Sequence, residues 1–134
     1  MPNPVFIKRK VLFGDCDPAG VVYTPKFSYF AVEAIDSALD VWLAGPGLRT
    51  LMGFNVLPPV RAFSLEFLRP LTWDDEITLK VSVENIGVHS FTFLVEGFLK
   101  NEALSFNAHV THVCISPETK EVIAIPEALK ELLS

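Results

Sequence analysis

TPKFSYFAVEAIDSALDVWLAGP, Thr24 to Pro46, decides how the rest of the chain must fold. Phe27, Phe30, Ala31, Ala34, Ile35, Ala38, Leu39, Trp42 and Leu43 recur at spacings of three and four, which draws one apolar face along a long helix. Glu33, Asp36, Ser37 and Asp40 fill much of the other side, with Val32 and Val41 widening the apolar part. Thr24 reads as the N-cap and Pro25 as the first helical residue, where a missing N–H costs nothing. Gly45-Pro46-Gly47 reads as the stop.

Outside the helix the period changes to two. Val5 to Phe13 reads as a first strand, and Leu48 to Leu57 as an irregular piece with one helical turn. Phe63, Leu65 and Phe67, then Ile77, Leu79, Val81 and Val83, alternate with polar residues. Phe91 to Leu99 and Leu104 to His112 complete the strands, joined by short turns. Pro126 opens a short C-terminal helix. The order is strand, long helix, then four strands in a meander. That is an α+β layer in which a curved antiparallel five-stranded sheet packs on one helix. One layer leaves surface uncovered, so association through sheet edges or faces is expected.

At 134 residues and half hydrophobic, the chain reads as one folded domain, residues 1–134. A net charge of −5 argues against a nucleic-acid surface. The one basic run, Lys8-Arg9-Lys10, alternates faces on a strand and makes a poor patch. No apolar stretch is long enough to span a bilayer, and the N-terminus lacks the layout of a signal peptide. Cys16 and Cys114 have no metal or disulfide spacing and read as free thiols of a cytoplasmic protein, Cys16 as a buried structural one.

The chemistry concentrates in FGDCDPAGVVYTP, Phe13 to Pro25. Asp15 and Asp17 share a face in extended chain, Pro18 holds the backbone open, and Gly20 permits a positive φ or a close approach to a ligand. The loop delivers the amides around Tyr23 and Thr24 to a helix N-terminus, which favours negative charge. A carboxylate beside such donors suits acyl transfer. Taken alone, the same residues fit a turn in which both aspartates only bond backbone amides. His109 and His112, three apart on a strand, point to opposite faces and read as ordinary sheet histidines, not a metal pair. His89, in a turn, could meet an anionic ligand as a donor.

GDCDPAGVVYTPKFSYF resembles the signature of hotdog-fold acyl-CoA thioesterases of the 4-hydroxybenzoyl-CoA thioesterase type, with weaker similarity in FLRPLTWDDEITLKV, Phe67 to Val81, and at Ser90-Phe91. The resemblance implies a sheet wrapped around the helix, and a homodimer or homotetramer with active sites at the subunit interface. It implies Asp17 as the catalytic carboxylate, nucleophile or general base, and the backbone N–H of Thr24 as the group polarising the thioester carbonyl. Asp15 keeps a structural role. Gly20, Val22, Tyr23, Val32, Val60, His89 and Ser90 are the implied substrate contacts. No metal or redox cofactor is implied.

The departures carry information as well. Val32 stands where the 4-hydroxybenzoyl enzyme has the acid that meets the substrate phenol, and a buried valine cannot accept that bond. An apolar aliphatic or unsubstituted aromatic acyl group is implied instead. Thr24 stands where a related branch carries histidine, and Gly87-Val88-His89 replaces a basic cluster near the CoA phosphates. The implied activity is acyl-CoA hydrolysis. The rivals are a thioester on an acyl carrier protein, or acyl-CoA binding without turnover.

Overall fold

The computed structural model describes residues 1–134. Strand β1 (Val5–Lys10) leads through a one-turn 3-10 helix (Phe13–Asp15) to α1 (Lys26–Trp42) and α2 (Gly47–Met52). Strands β2 (Val60–Phe67), β3 (Glu76–Ile86), β4 (Ser90–Phe98) and β5 (Leu104–Val113) follow, then α3 (Glu127–Leu133). All neighbouring strands are antiparallel, in the order β1-β3-β4-β5-β2. The expected meander therefore holds only for β3-β4-β5. β2 lies at the far edge against β5, and the Leu68–Asp75 link crosses beneath the start of α1. Leu68 and Arg69 donate to the Ser105 carbonyl there, and the Leu71 carbonyl accepts from the Val22 N–H at 2.7 Å.

Helix and sheet meet face to face. Phe27, Phe30, Ala31, Ala34, Ile35, Ala38 and Leu39 are the buried residues of α1. Ile77, Leu79, Val81 and Val83 of β3 and Phe91, Phe93 and Val95 of β4 are buried opposite. The small residues Ala31, Ala34 and Ala38 let the backbone come close, while Phe27 sets its ring edge-on to Phe30, Phe67 and Phe106. Leu129 and Leu133 of α3 close the core and are fully buried. No helix is long and apolar enough to cross a membrane.

The ends of the first elements differ from the sequence expectation. β1 stops at Lys10, because Val11 turns away to exchange hydrogen bonds with Asp75 and Asp74 at 2.8 and 2.9 Å. The Thr24 side chain makes no capping bond: Pro25 takes helical angles (φ −62°, ψ −19°), as expected of a first helical residue, yet α1, which runs from Lys26, starts without a side-chain cap. At its other end the left-handed residue is Ala44 (φ 53°), not Gly45, whose N–H reaches back to the Asp40 carbonyl. Asp36 and Asp40, on the polar face, accept the Leu48 and Gly47 amides at the start of α2.

β2 is an exposed edge. Val60 and Phe67 face solvent, Phe63 and Leu65 are half-buried, and Tyr29 and Val32 of α1 are exposed in the single chain. Val32 is thus not the buried residue that its helical position suggests. In β4, Gly97 is paired with Phe106, and a methyl group at 97 would run into that ring. Gly97→Ala should destabilise the fold by about 1–3 kcal/mol through overpacking. A thermal melt within error of wild type would contradict that packing.

Candidate active site

The loop before α1 is a small hairpin. Asp17, Pro18 and Gly20 occupy the first, second and fourth places of a β-turn closed by Gly20 N–H to the Asp17 carbonyl at 2.9 Å. Gly20 then takes φ 84°, and Trp73 sits 3.1 Å from where a Cβ would be. Only glycine satisfies both constraints. The arms pair through Cys16 and Val22 and through Asp17 N–H to the Val21 carbonyl at 2.9 Å. Thr72 Oγ1 donates to the Gly20 carbonyl and ties the tip to the Leu68–Asp75 link.

Asp15 anchors this hairpin. It is buried, takes Arg9 Nη1 at 2.8 Å and the Leu12 N–H at 2.9 Å on Oδ2, and has Lys26 Nζ 3.6 Å from Oδ1. Its carbonyl accepts the Tyr23 N–H. Burial alone would push the Asp15 carboxyl up. The bonds from Arg9 and Leu12 and the charges of Arg9 and Lys26 outweigh it and hold the group below the usual carboxylate range. Arg9 also meets Glu33 at 3.1 Å and lies 4.1 Å over the Phe30 ring, so the basic run that makes no patch contributes its inward-facing member here.

Asp17 is differently placed. Oδ1 accepts the Ala19 N–H at 2.8 Å, which leaves Oδ2 without a partner in the chain. The N–H of Thr24, exposed at the mouth of α1, likewise donates to nothing, whereas its neighbours Tyr23 and Lys26 are engaged. A carboxylate oxygen and a backbone donor are thereby left open on one loop. Cys16 is partly exposed rather than buried. Burial and the nearby Asp15, Asp17 and Asp75 push its thiol up, so it is no ready nucleophile. Cys114 is pushed up to about 11 by burial.

The remaining candidates fall into two groups. Gly20, Val22, Tyr23 and Thr24 lie with Asp17, although Val22 is buried and offers little surface. His89 lies in the β3–β4 turn beyond Ile86 and Ser90 opens β4, whereas Glu76 at the other end of β3 adjoins the link beside the loop. Val60 belongs with them, at the end of the sheet where it pairs with His112. A single chain therefore does not bring His89, Ser90 or Val60 to Asp17. Val32, midway along α1, is the connecting position. It lines a groove of about 420 Å³ with Ser28, Tyr29 and Val60, and a second of about 420 Å³ with Ile35, Leu57, Pro59, Val60 and His112. A third apolar groove, about 310 Å³, runs beside Thr24 and Phe27.

His109 and His112 leave β5 on opposite faces. His109 meets Glu84 at 2.8 Å, while His112 turns inward and gives Nδ1 to the Pro58 carbonyl at 2.8 Å. Lys26 and Trp73 are residues near these sites that the sequence did not single out, while Arg9 and His112 read there only as part of a poor basic patch and as an ordinary sheet histidine. Strand alternation signals Arg9, but its partners and those of the others come from distant segments.

A curved sheet around one helix, preceded by this loop, is the hotdog architecture of acyl thioesterases. A family model described as the thioesterase-like superfamily matches residues 11–133, and the chain belongs to that superfamily. It is 30% identical over 129 residues to a 1,4-dihydroxy-2-naphthoyl-CoA hydrolase of Microcystis aeruginosa, covering 94% of this chain and 90% of that protein. A thioesterase superfamily structure from Jannaschia sp. CCS1 has a TM-score of 0.89 at 28% identity, covering 99% of this chain and 94% of that one. A mutant 4-hydroxybenzoyl-CoA thioesterase complexed with 4-hydroxybenzoyl-CoA shares the fold, with a TM-score of 0.86 at 19% identity and coverage of 99% and 100%.

Breaking the Asp15 anchor should have a stability signature. Asp15→Ala should cost about 3 kcal/mol, the low end for a buried pair, since Arg9 keeps Glu33. Because the folded-state pKa of Asp15 is depressed, its contribution is complete above about pH 3.9 and declines as pH falls further. Chemical denaturation of wild type and Asp15→Asn from pH 7 to pH 3 should show part of the acid slope missing in the variant. Parallel slopes would contradict the assignment.

Proposed function

We propose that this chain is an acyl-CoA thioesterase in which Asp17 drives hydrolysis and the Thr24 N–H polarises the thioester carbonyl. The observation that carries this reading is the pair of unshared groups, Asp17 Oδ2 and Thr24 N–H, on one anchored loop at a helix start. As the carbonyl carbon becomes tetrahedral its oxygen gains charge, which an amide at a helix N-terminus stabilises without reorganising. The Asp17 carboxylate either attacks that carbon or takes a proton from the attacking water. Collapse breaks the C–S bond and CoA leaves as the thiol; attack by water gives the free acid directly, whereas attack by Asp17 leaves an acyl anhydride on Asp17 that a second water hydrolyses to the free acid and the regenerated carboxylate.

Relatives named for 1,4-dihydroxy-2-naphthoyl-CoA favour an aromatic acyl group, and the apolar grooves along α1 suit one. The separation of Val60, His89 and Ser90 from Asp17 fits a site completed by a second copy of the chain. The exposed β2 edge supports pairing of two sheets there, which would bring the two groups of residues together.

The test is thiol release from a panel of aromatic and aliphatic acyl-CoAs, headed by 1,4-dihydroxy-2-naphthoyl-CoA. Asp17→Asn should keep the wild-type melting temperature and lose roughly 10²–10⁴-fold in kcat on every active substrate. Equal rates for wild type and variant would remove Asp17 from the mechanism.

A further inference from the structure

His112 is 7% exposed, and its Nε2 is the one buried side-chain nitrogen or oxygen without a hydrogen-bond partner. The ring is held hard. Phe91 stacks on it at 5.6 Å and 21°, and Phe93 meets it edge-on at 5.6 Å. The Pro58 carbonyl can only accept, so Nδ1 carries the proton. Burial lowers the imidazole pKa more than that bond raises it, so the ring is neutral and Nε2 presents a bare lone pair. An acceptor left unpaired in a protein interior is costly, and such atoms are normally matched by a donor.

The ring lines the groove of about 420 Å³ formed with Val32, Ile35, Leu57, Pro59, Val60 and Ile115. Apart from His112 this wall is almost entirely apolar. It shares Val32 and Val60 with the groove that starts at Ser28 and Tyr29 near the mouth of α1. An acyl ring seated in this groove would lie against the imidazole.

Resting on the thioesterase reading, we infer that His112 Nε2 accepts a hydrogen bond from a hydroxyl on the acyl group, and so selects hydroxyaryl over plain aryl thioesters. Val32 removes the helix acid that would meet a phenol, and β5 supplies an acceptor from the opposite wall. This reverses the sequence expectation of an unsubstituted acyl group. A pocket that pairs a substrate hydroxyl discriminates strongly against the analogue lacking it, because the protein atom is then stranded.

The experiment compares matched thioesters: 1,4-dihydroxy-2-naphthoyl-CoA with 2-naphthoyl-CoA, and 4-hydroxybenzoyl-CoA with benzoyl-CoA. Wild type is assayed for kcat/KM, and Asp17→Asn for Kd by calorimetry, so that selectivity is read with and without turnover. His112→Asn keeps an N–H for the Pro58 carbonyl and moves the acceptor back from the Nε2 position onto the shorter side chain; His112→Phe removes both. Wild type should prefer the hydroxylated member of at least one pair by roughly 10-fold or more, and His112→Asn should bring that ratio near one. A preference that survives His112→Asn, or its absence in wild type, overturns the assignment. Selective binding lost with His112 but no hydrolysis of any ester refutes the thioesterase reading alone. Hydrolysis without hydroxyl preference refutes the His112 role alone, and no binding at all refutes both. Should the variants misfold, the ¹⁵N resonance of wild-type His112 Nε2 decides. It should move with the hydroxylated ligand only, and an unmoved resonance overturns the role.

Discussion

Asp15 is a carboxylate removed from water inside a chain that offers it three compensations, the Arg9 guanidinium, the Leu12 amide and the Lys26 ammonium, while its backbone carbonyl pairs with the Tyr23 N–H. Arg9 belongs to β1, Leu12 to the turn after it, Tyr23 to the far arm of the hairpin and Lys26 to the first turn of α1. One buried charge therefore ties the strand, the loop and the helix start together. Removing any single partner leaves the others oriented around an undercompensated carboxylate, which makes the arrangement cooperative. The spare groups of the loop, Asp17 Oδ2 and the Thr24 N–H, hold their places because Asp15 has committed the rest.

The remainder of the molecule keeps that loop rigid and leaves other surfaces open. α1 is buried on one face against β3 and β4, while Tyr29 and Val32 stay exposed beside the unpaired β2 edge. The Leu68–Asp75 link, which carries the chain from one edge of the sheet back to β3, props the hairpin through Thr72 and Trp73. The strand order and the loop are thus one problem. The crossing that sends β2 to the far edge also delivers the residues on which Gly20 packs.

Much of this was legible in the sequence. The face from Phe27 to Leu39 and the alternation in β3 and β4 depend only on local period, and the structure has both elements where they were expected. Gly20 was legible as a residue with a conformational need, though not that Trp73 covers it. What local pattern could not show was set by distant partners. β2 pairs with β5 because of long-range register, no side chain caps α1 although Pro25 takes helical angles, and Val32 stays exposed because no segment of its own chain covers it. His112 read as an ordinary sheet histidine, since nothing near it announces that Pro58 will take one nitrogen and leave the other bare. The choice of Asp17 over Asp15 as the reacting carboxylate came from resemblance, and the geometry adds a physical ground: one aspartate is fully engaged and the other is not.

The central claim is that the anchored loop presents an amide and a carboxylate to the same thioester. The most direct measurement is a crystal structure of Asp17→Asn with an intact aromatic acyl-CoA bound. The account predicts the thioester oxygen about 2.7–3.1 Å from the Thr24 nitrogen, with the carbonyl carbon facing the substituted side chain at position 17. A bound thioester whose carbonyl lies away from Thr24, or whose carbon is out of reach of position 17, would contradict it.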